Sequence, residues 1–363
     1  MRDTTGLEGV VVAETTLSEV DGERGALIVC GHPIGALSGV VPFEGLCALM
    51  WDGTIPDDAS ATSRALGEAR AAAFEGLGRL GDALGAAHGM DALRAAVAHL
   101  PATDAPWPGP AVAVTGAMAV HAAAWSRRAR GLAPVAPDPS AGHATDLLRM
   151  IHGRAPHPTW VGALDAYLAT VVDHGMNAST FAARVVASTE SDLVSAVVAA
   201  LGALKGRLHG GAPGPVLDML DAVGAPERAE SWLRAELEAG RRIMGMGHRV
   251  YRVRDPRAAV LERALERLDA GGAASGRLAL ARAVERTAER LLAERKPDRP
   301  LRANVEFYTA TLLEALELPR ALFTPIFATS RVAGWSAHVE EQRRTGRLIR
   351  PRARYVGPRP RTA

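Results

Sequence analysis

From Phe43 onward, apolar positions recur every three to four residues, the spacing of one buried helix face. The pattern predicts helices over 43–51, 60–80, 90–100 and 111–130, followed by a Pro- and Gly-rich loop from Gly131 to Gly142. Trp160, Leu164, Tyr167, Leu168, Val171 and Val172 then mark a helix that closes at Asp173-His174, with Asn177 or Ser179 capping the next. A helix from Ser191 carries Val194, Val198, Leu201 and Leu204 and ends at Lys205-Gly206. Others are predicted over 215–223, 226–239 and 276–296, and over about 328–344 with Val332, Trp335 and Val339 turned inward. Only the first thirty or so residues break the period. There Val10-Val11-Val12-Ala13 and Leu27-Ile28-Val29-Cys30 read as short extended segments around an Asp21-Gly22 turn. The expected fold class is therefore all-α with a minor N-terminal β hairpin. No fixed-period repeat occurs, and no Ser/Gly linker marks a domain boundary.

Composition narrows the function classes. A chain of 363 residues with 48% hydrophobic content can bury a sizeable core, as two domains or as one large domain with a sub-domain. A net charge of +2 argues against a general nucleic-acid binder, although the last 21 residues hold eight arginines from Arg343 to Arg361. Cys30 and Cys47 are too few for a disulfide framework and lack metal-ligand spacing, so a reducing, cytoplasmic setting is expected. The opening residues lack the apolar run of a signal peptide. The weakly polar run Ala111–Trp125 includes His121 and is too short for a bilayer, so no membrane span is expected. His32, His88, His99, His121, His143, His152, His157 and His338 are scattered without ligand spacing; no metal site is expected, and each reads as structural or surface.

Three stretches carry chemistry. Residues 245–257 read Gly-Met-Gly-His-Arg-Val-Tyr-Arg-Val-Arg-Asp-Pro-Arg. Gly245 and Gly247 allow close approach of the main chain to a ligand, and Asp255-Pro256 is a helix cap followed by the favoured first helical residue. The helix runs with Val260, Leu261, Leu265 and Leu268 on one face and stops before Gly271-Gly272. Arg257 falls in its first turn, where a cation opposes the helix dipole, and this points to an anionic partner. Taken alone, His248 reads equally well as a loop histidine. Leu208-His209-Gly210-Gly211 places another histidine on a glycine-flanked loop. In Asn304-Val305-Glu306-Phe307-Tyr308, Asn304 caps a helix and Glu306 lies in its first turn, where the dipole favours the ionised carboxylate that a general base needs.

In this order and at these separations, the three stretches resemble the catalytic motifs of the citrate synthase family. Gly6-Leu7-Glu8-Gly9-Val10, Asp173-His174-Gly175-Met176-Asn177-Ala178-Ser179, Ser330-Arg331-Val332-Ala333-Gly334-Trp335 and Leu348-Ile349-Arg350-Pro351 extend the resemblance over nearly the whole chain. It implies a large helical domain of residues 1–211 and 317–363, a small one of 212–316, and an active site between them. It implies condensation of acetyl-CoA, as substrate and with no other cofactor, with oxaloacetate. Glu306 would take the methyl proton, His209 would donate to the enolate oxygen and His248 to the ketone oxygen. His174, Arg257, Arg331 and Arg350 would bind oxaloacetate. The family's equivalent of Arg350 crosses to the other subunit, so a homodimer with shared sites is implied. Arg252 and Arg299 would contact CoA phosphates, with Gly245 and Gly247 giving the backbone access to the cofactor-like substrate.

Two positions depart from the family pattern. Glu306 stands where Asp is common, and Ala212-Pro213 where Ala-Asn is common. The same residues are compatible with a 2-methylcitrate synthase using propionyl-CoA, since one methylene discriminates by only about 1 to 3 kcal/mol. A catalytically weak relative that binds CoA or dicarboxylates is a further alternative. Nucleic-acid binding through the tail is disfavoured, because the basic residues lack aromatic interleaving.

Overall fold

The structure, a computed structural model, describes residues 5–7, 9–210, 213–248, 250–270, 277–297 and 301–358. Near the N-terminus β1 (Ser18–Asp21), β2 (Ala26–Val29) and β3 (His32–Pro33) form an antiparallel meander in the order β1-β2-β3, with Ser18 opposite Val29. The first strand lies later than the sequence pattern predicts. Val10–Ala13 forms no ladder and Val11 is 86% exposed, because β-branched residues make a strand only where a partner strand runs beside them. Leu27 and Val29 turn into the core.

Fifteen α-helices follow among the described residues: α1 (Ile34–Leu37), α2 (Phe43–Asp52), α3 (Ser60–Glu75), α4 (Gly89–Ala98), α5 (Gly109–Arg128), α6 (His143–His152), α7 (Pro158–Val171), α8 (Ala178–Ala187), α9 (Leu193–Leu204), α10 (Pro213–Val223), α11 (Ala229–Glu238), α12 (Pro256–Ala270), α13 (Arg277–Arg295), α14 (Val305–Ala315) and α15 (Phe323–Thr345). The all-α expectation holds, with shifted boundaries. Helix α15 begins five residues before the expected start, at Phe323. Pro325 falls in its first turn, where a missing N–H breaks no intrahelical bond. Helix α6 lies in a stretch without a predicted element. Its buried face includes Asp146 and His143, which pair with Arg70 of α3 at 2.7 and 3.2 Å, and a buried ion pair is invisible to an apolar periodicity.

Helix α15 is the axis of the core. It is buried on every side from Ile326 to Val339 except at Phe327, and packs against α2, α4, α5, α7, α8 and α9. Helix α12 lies against α7 and α14, and α10 and α13 also pack on α14. The N-termini of α8, α12 and α14 carry or adjoin the candidate site residues.

Candidate active site

The loop bearing His248 and the helix bearing Glu306 are built as one frame. Gly245 and Gly247 have φ of 72° and 88°, and Met246 forms an antiparallel bridge with Ala303. Gly247 N–H donates to the Arg302 carbonyl at 2.7 Å, Asn304 N–H to the Gly245 carbonyl at 2.9 Å, and the Asn304 amide to the Gly247 carbonyl at 2.8 Å. A Cβ at Gly245 would fall 2.8 Å from the Phe307 ring, and one at Gly247 would fall 3.1 Å from Leu301. Left-handed backbone and close packing on these residues thus account for both glycines. Asn304 also caps α14, accepting from Glu306 N–H at 3.0 Å.

Asp255 joins a second helix start to this frame. Its carboxylate accepts from the backbone N–H of Arg257 at 3.0 Å and of Val305 at 3.2 Å. It also takes Nε and Nη2 of Arg257 at 3.0 and 2.7 Å. The anion that Arg257 calls for is therefore found first within the chain, and Nη1 is the guanidinium nitrogen outside this pair. One carboxylate caps α12 and supports the start of α14, which fixes Arg257 and Glu306 relative to each other.

Hydrogen bonds assign the tautomers of two histidines. His248 Nδ1 accepts from the N–H groups of Val250 and Tyr251, each at 3.1 Å, so a neutral ring carries its proton on Nε2. His209 Nε2 faces the N–H of Ser179 at 3.3 Å and its hydroxyl at 2.8 Å; a backbone N–H only donates, so Nε2 accepts and Nδ1 carries the proton. Burial, with nearby guanidinium groups, lowers both rings to about 4. They are neutral hydrogen-bond donors at neutral pH. His174, also lowered well below its ordinary value by burial first and Arg257 next, bonds the Tyr251 hydroxyl at 3.1 Å. The His174 and His248 rings stand edge to face at 5.5 Å.

Glu306 corrects the expectation of a dipole-stabilised carboxylate. Burial pushes it up from 4.5 to about 7, against the opposing pull of Arg257 and Arg331. Desolvation outweighs the helix terminus because Oε2 is enclosed and has no hydrogen-bond partner among the described residues. Among the described residues, Nη2 of Arg331 and the Tyr167 hydroxyl are also buried without a hydrogen-bond partner. Arg331 donates through Nε to the Val171 carbonyl at 2.6 Å and lies over the Phe327 ring at 4.5 Å. Tyr167, fully buried on α7, lies within electrostatic reach of Glu306, Arg331 and Arg257. It was read from the sequence only as a core position, since its hydrophobic spacing hides the polar end of the side chain. Tyr251 and Ser179 were likewise unforeseen in these roles.

Thus His174, His209, His248, Arg257, Arg331 and Glu306 gather in one place, linked by the contacts and mutual charge effects just described. Arg252 is exposed on the loop after His248, its N–H bonded to the Gly22 carbonyl at 2.9 Å. Arg299 lies outside the described residues. Arg350 does not join the group. It is exposed, and its neighbour Ile349 bonds Ser188 at 3.0 Å, at the C-terminal end of α8, whereas Ser179 and His209 meet at the N-terminal end. The nine-residue offset between these two serines spans about 14 Å of helix axis.

Such a group of neutral donors, guanidinium forks and one half-buried carboxylate, set on an all-helical frame, can receive an anionic ligand and exchange a proton with it. Comparison with known proteins narrows the class. A family profile described as "Citrate synthase, C-terminal domain" matches residues 6–352, and the chain belongs to the citrate synthase family. A protein of Mycobacterium tuberculosis named 2-methylcitrate synthase is 39% identical, covering 97% of this chain and 90% of its own length. A citrate synthase of Haloferax volcanii is 38% identical over 97% of this chain and 95% of that one. Among solved structures, citrate synthase from Thermoplasma acidophilum, in ternary complex with carboxymethyl coenzyme A and oxaloacetate, superposes with a TM-score of 0.87 at 28% identity, covering 99% of this chain and 97% of that one.

Proposed function

We propose that this chain condenses acetyl-CoA with oxaloacetate and water to give citrate and CoA. The observation that carries the reading is the half-buried Glu306 carboxylate, one oxygen enclosed and its pKa raised to about 7, beside neutral imidazoles whose protons lie on defined nitrogens. A base with a pKa near the working pH combines availability with proton affinity. Glu306 removes a methyl proton while Nδ1–H of His209 donates to the thioester oxygen, which gains charge as the enol forms. The enol carbon attacks the ketone of oxaloacetate, and Nε2–H of His248 donates to the oxygen that becomes the alkoxide. Water then cleaves the thioester, and CoA leaves. Arg257, Arg331 and His174 bind the dicarboxylate, Arg252 and Arg299 bind the CoA phosphates, and the backbone at Gly245 and Gly247 belongs to the CoA-binding surface. The division into 1–211 with 317–363 and an inserted 212–316 belongs to the same reading.

A second acyl substrate is favoured by one observation: a relative as similar as the citrate synthases is named 2-methylcitrate synthase. Steady-state thiol release with oxaloacetate and either acetyl-CoA or propionyl-CoA decides between them. A higher kcat/KM for acetyl-CoA is expected. The reverse order would make this a 2-methylcitrate synthase, and release with neither would leave a binding relative.

We further propose a homodimer in which Arg350 completes the neighbour's site. Its distance from its own site along α8, and its place in an exposed arginine-rich tail, support this reading. Arg350→Ala and His248→Ala proteins, each inactive, are expected to recover roughly a quarter of native activity when unfolded and co-refolded, because mixed dimers hold one intact site. No recovery despite demonstrated subunit exchange excludes the shared site.

A further inference from the structure

One face of α15 grips the segment that presents His174. Arg331, Gly334, Trp335, His338, Glu341 and Gln342 follow the helical spacing of a single face. Arg331 bonds the Val171 carbonyl at 2.6 Å, and Trp335 Nε1–H bonds the Ser179 hydroxyl at 3.1 Å. Gly334 allows the approach, since a Cβ there would lie 2.3 Å from the Val172 carbonyl oxygen. His338, fully buried, brings Nε2 to 3.2 Å from Oδ1 of the equally buried Asp173, the residue before His174. The pair is a close polar contact rather than a formed hydrogen bond, and among the described residues neither atom has a hydrogen-bond partner.

The polarity of this contact is fixed from behind. Arg184 Nη1 lies 2.9 Å from His338 Nδ1 and 2.6 Å from Glu341 Oε2, while its Nε donates to Gln342 at 3.0 Å. A guanidinium only donates, so Nδ1 of His338 accepts and its proton sits on Nε2, the nitrogen on the Asp173 side. Asp173 also accepts from Gly175 N–H at 3.0 Å and from the Ser18 hydroxyl. Burial alone would raise the Asp173 carboxyl, but the donors at His338 and Ser18 and the Arg331 guanidinium draw it below the ordinary carboxylate value, so an anion stands beside the buried Arg331.

We propose that His338 is a positioning residue: through Asp173 it holds the loop that presents His174 and keeps a counter-anion beside Arg331, and thereby sets the affinity for the dicarboxylate. This rests on the reading of His174 and Arg331 as the oxaloacetate pocket. Glutamine at 338 can present one donor and one acceptor, as the neutral imidazole does, whereas leucine presents neither.

The test compares His338→Gln and His338→Leu with the native protein. The Leu variant is expected to raise KM for oxaloacetate about tenfold or more, with KM for acyl-CoA within about twofold and kcat less affected than KM. The Gln variant should stay within about threefold of native for all of these. Equal impairment of both variants toward both substrates, or no change in either, overturns the proposal. Should the Leu variant not fold, Ser18→Ala removes another support of Asp173, and an unchanged oxaloacetate KM then overturns it. If the native protein releases no CoA, the catalytic reading fails by itself; thermal protection by oxaloacetate, expected for the native and Gln proteins and weakened in Leu, still judges His338.

Discussion

Glu306→Gln is expected to lower turnover by about 10² to 10⁴ and to abolish deuterium exchange into the acyl-CoA methyl group, while KM for both substrates stays near native. Gln is isosteric and preserves the cap at Asn304, so the loss isolates proton abstraction from folding. A pH signature accompanies it. The folded-state pKa of about 7 exceeds the unfolded 4.5, so the folded chain holds a proton that the unfolded chain has released between those values. Stability contributed at Glu306 is therefore fully present below about 4.5 and falls as pH rises to about 7, by on the order of 3 kcal/mol. Glu306→Gln lacks this loss, so its Tm should exceed the native value at pH 8 and converge with it near pH 4. Native turnover should rise with pH through about 7, as the base ionises. Undiminished exchange in the Gln variant would leave Glu306 as a helix-terminal residue. Glu306→Asp asks whether the pocket suits the longer side chain; shortening it withdraws the carboxylate by about 1.5 Å, and a loss of up to about a hundredfold is expected.

His248→Ala is expected to lower turnover by at least about a hundredfold, because a donor is lost where charge develops on the ketone oxygen. Alanine also strands the N–H groups of Val250 and Tyr251 that His248 Nδ1 satisfies. His248→Asn is the matched control, since its amide oxygen can accept from the same two groups without carrying a donor to the Nε2 position. Both variants should lose turnover, while Asn should hold the loop and KM for acyl-CoA close to native. Near-native turnover in a folded Asn variant would sink the assignment of the loop around His248.

Part of the site can be read from local chemistry because its residues are local signals. Asn304 is a cap at the right offset from Glu306, Asp255-Pro256 starts a helix, and Gly245 and Gly247 mark left-handed backbone. The remainder depends on partners far apart in the chain. Asp255 supports Val305 fifty residues later, Ser179 orients His209, and Tyr167 lies within electrostatic reach of Glu306 on a helix that periodicity reads as plain core. The sign of the effect on Glu306 was also beyond local reading: helix position argues for an easily ionised carboxylate, while enclosure by other elements raises it.

By itself, the amino-acid sequence determined the all-helical class, most helix positions and the three motif stretches, because apolar period, caps and glycines act over a few residues. Only the tertiary structure decided that strand pairing begins at Ser18 rather than Val10, that α6 forms around a buried Arg70–Asp146 pair, and that α15 starts at Phe323. It also decided which nitrogens of His209 and His248 carry protons, and that Arg350 stands away from its own protomer's site. Each of these depends on desolvation or on a partner distant in sequence, which no local pattern encodes.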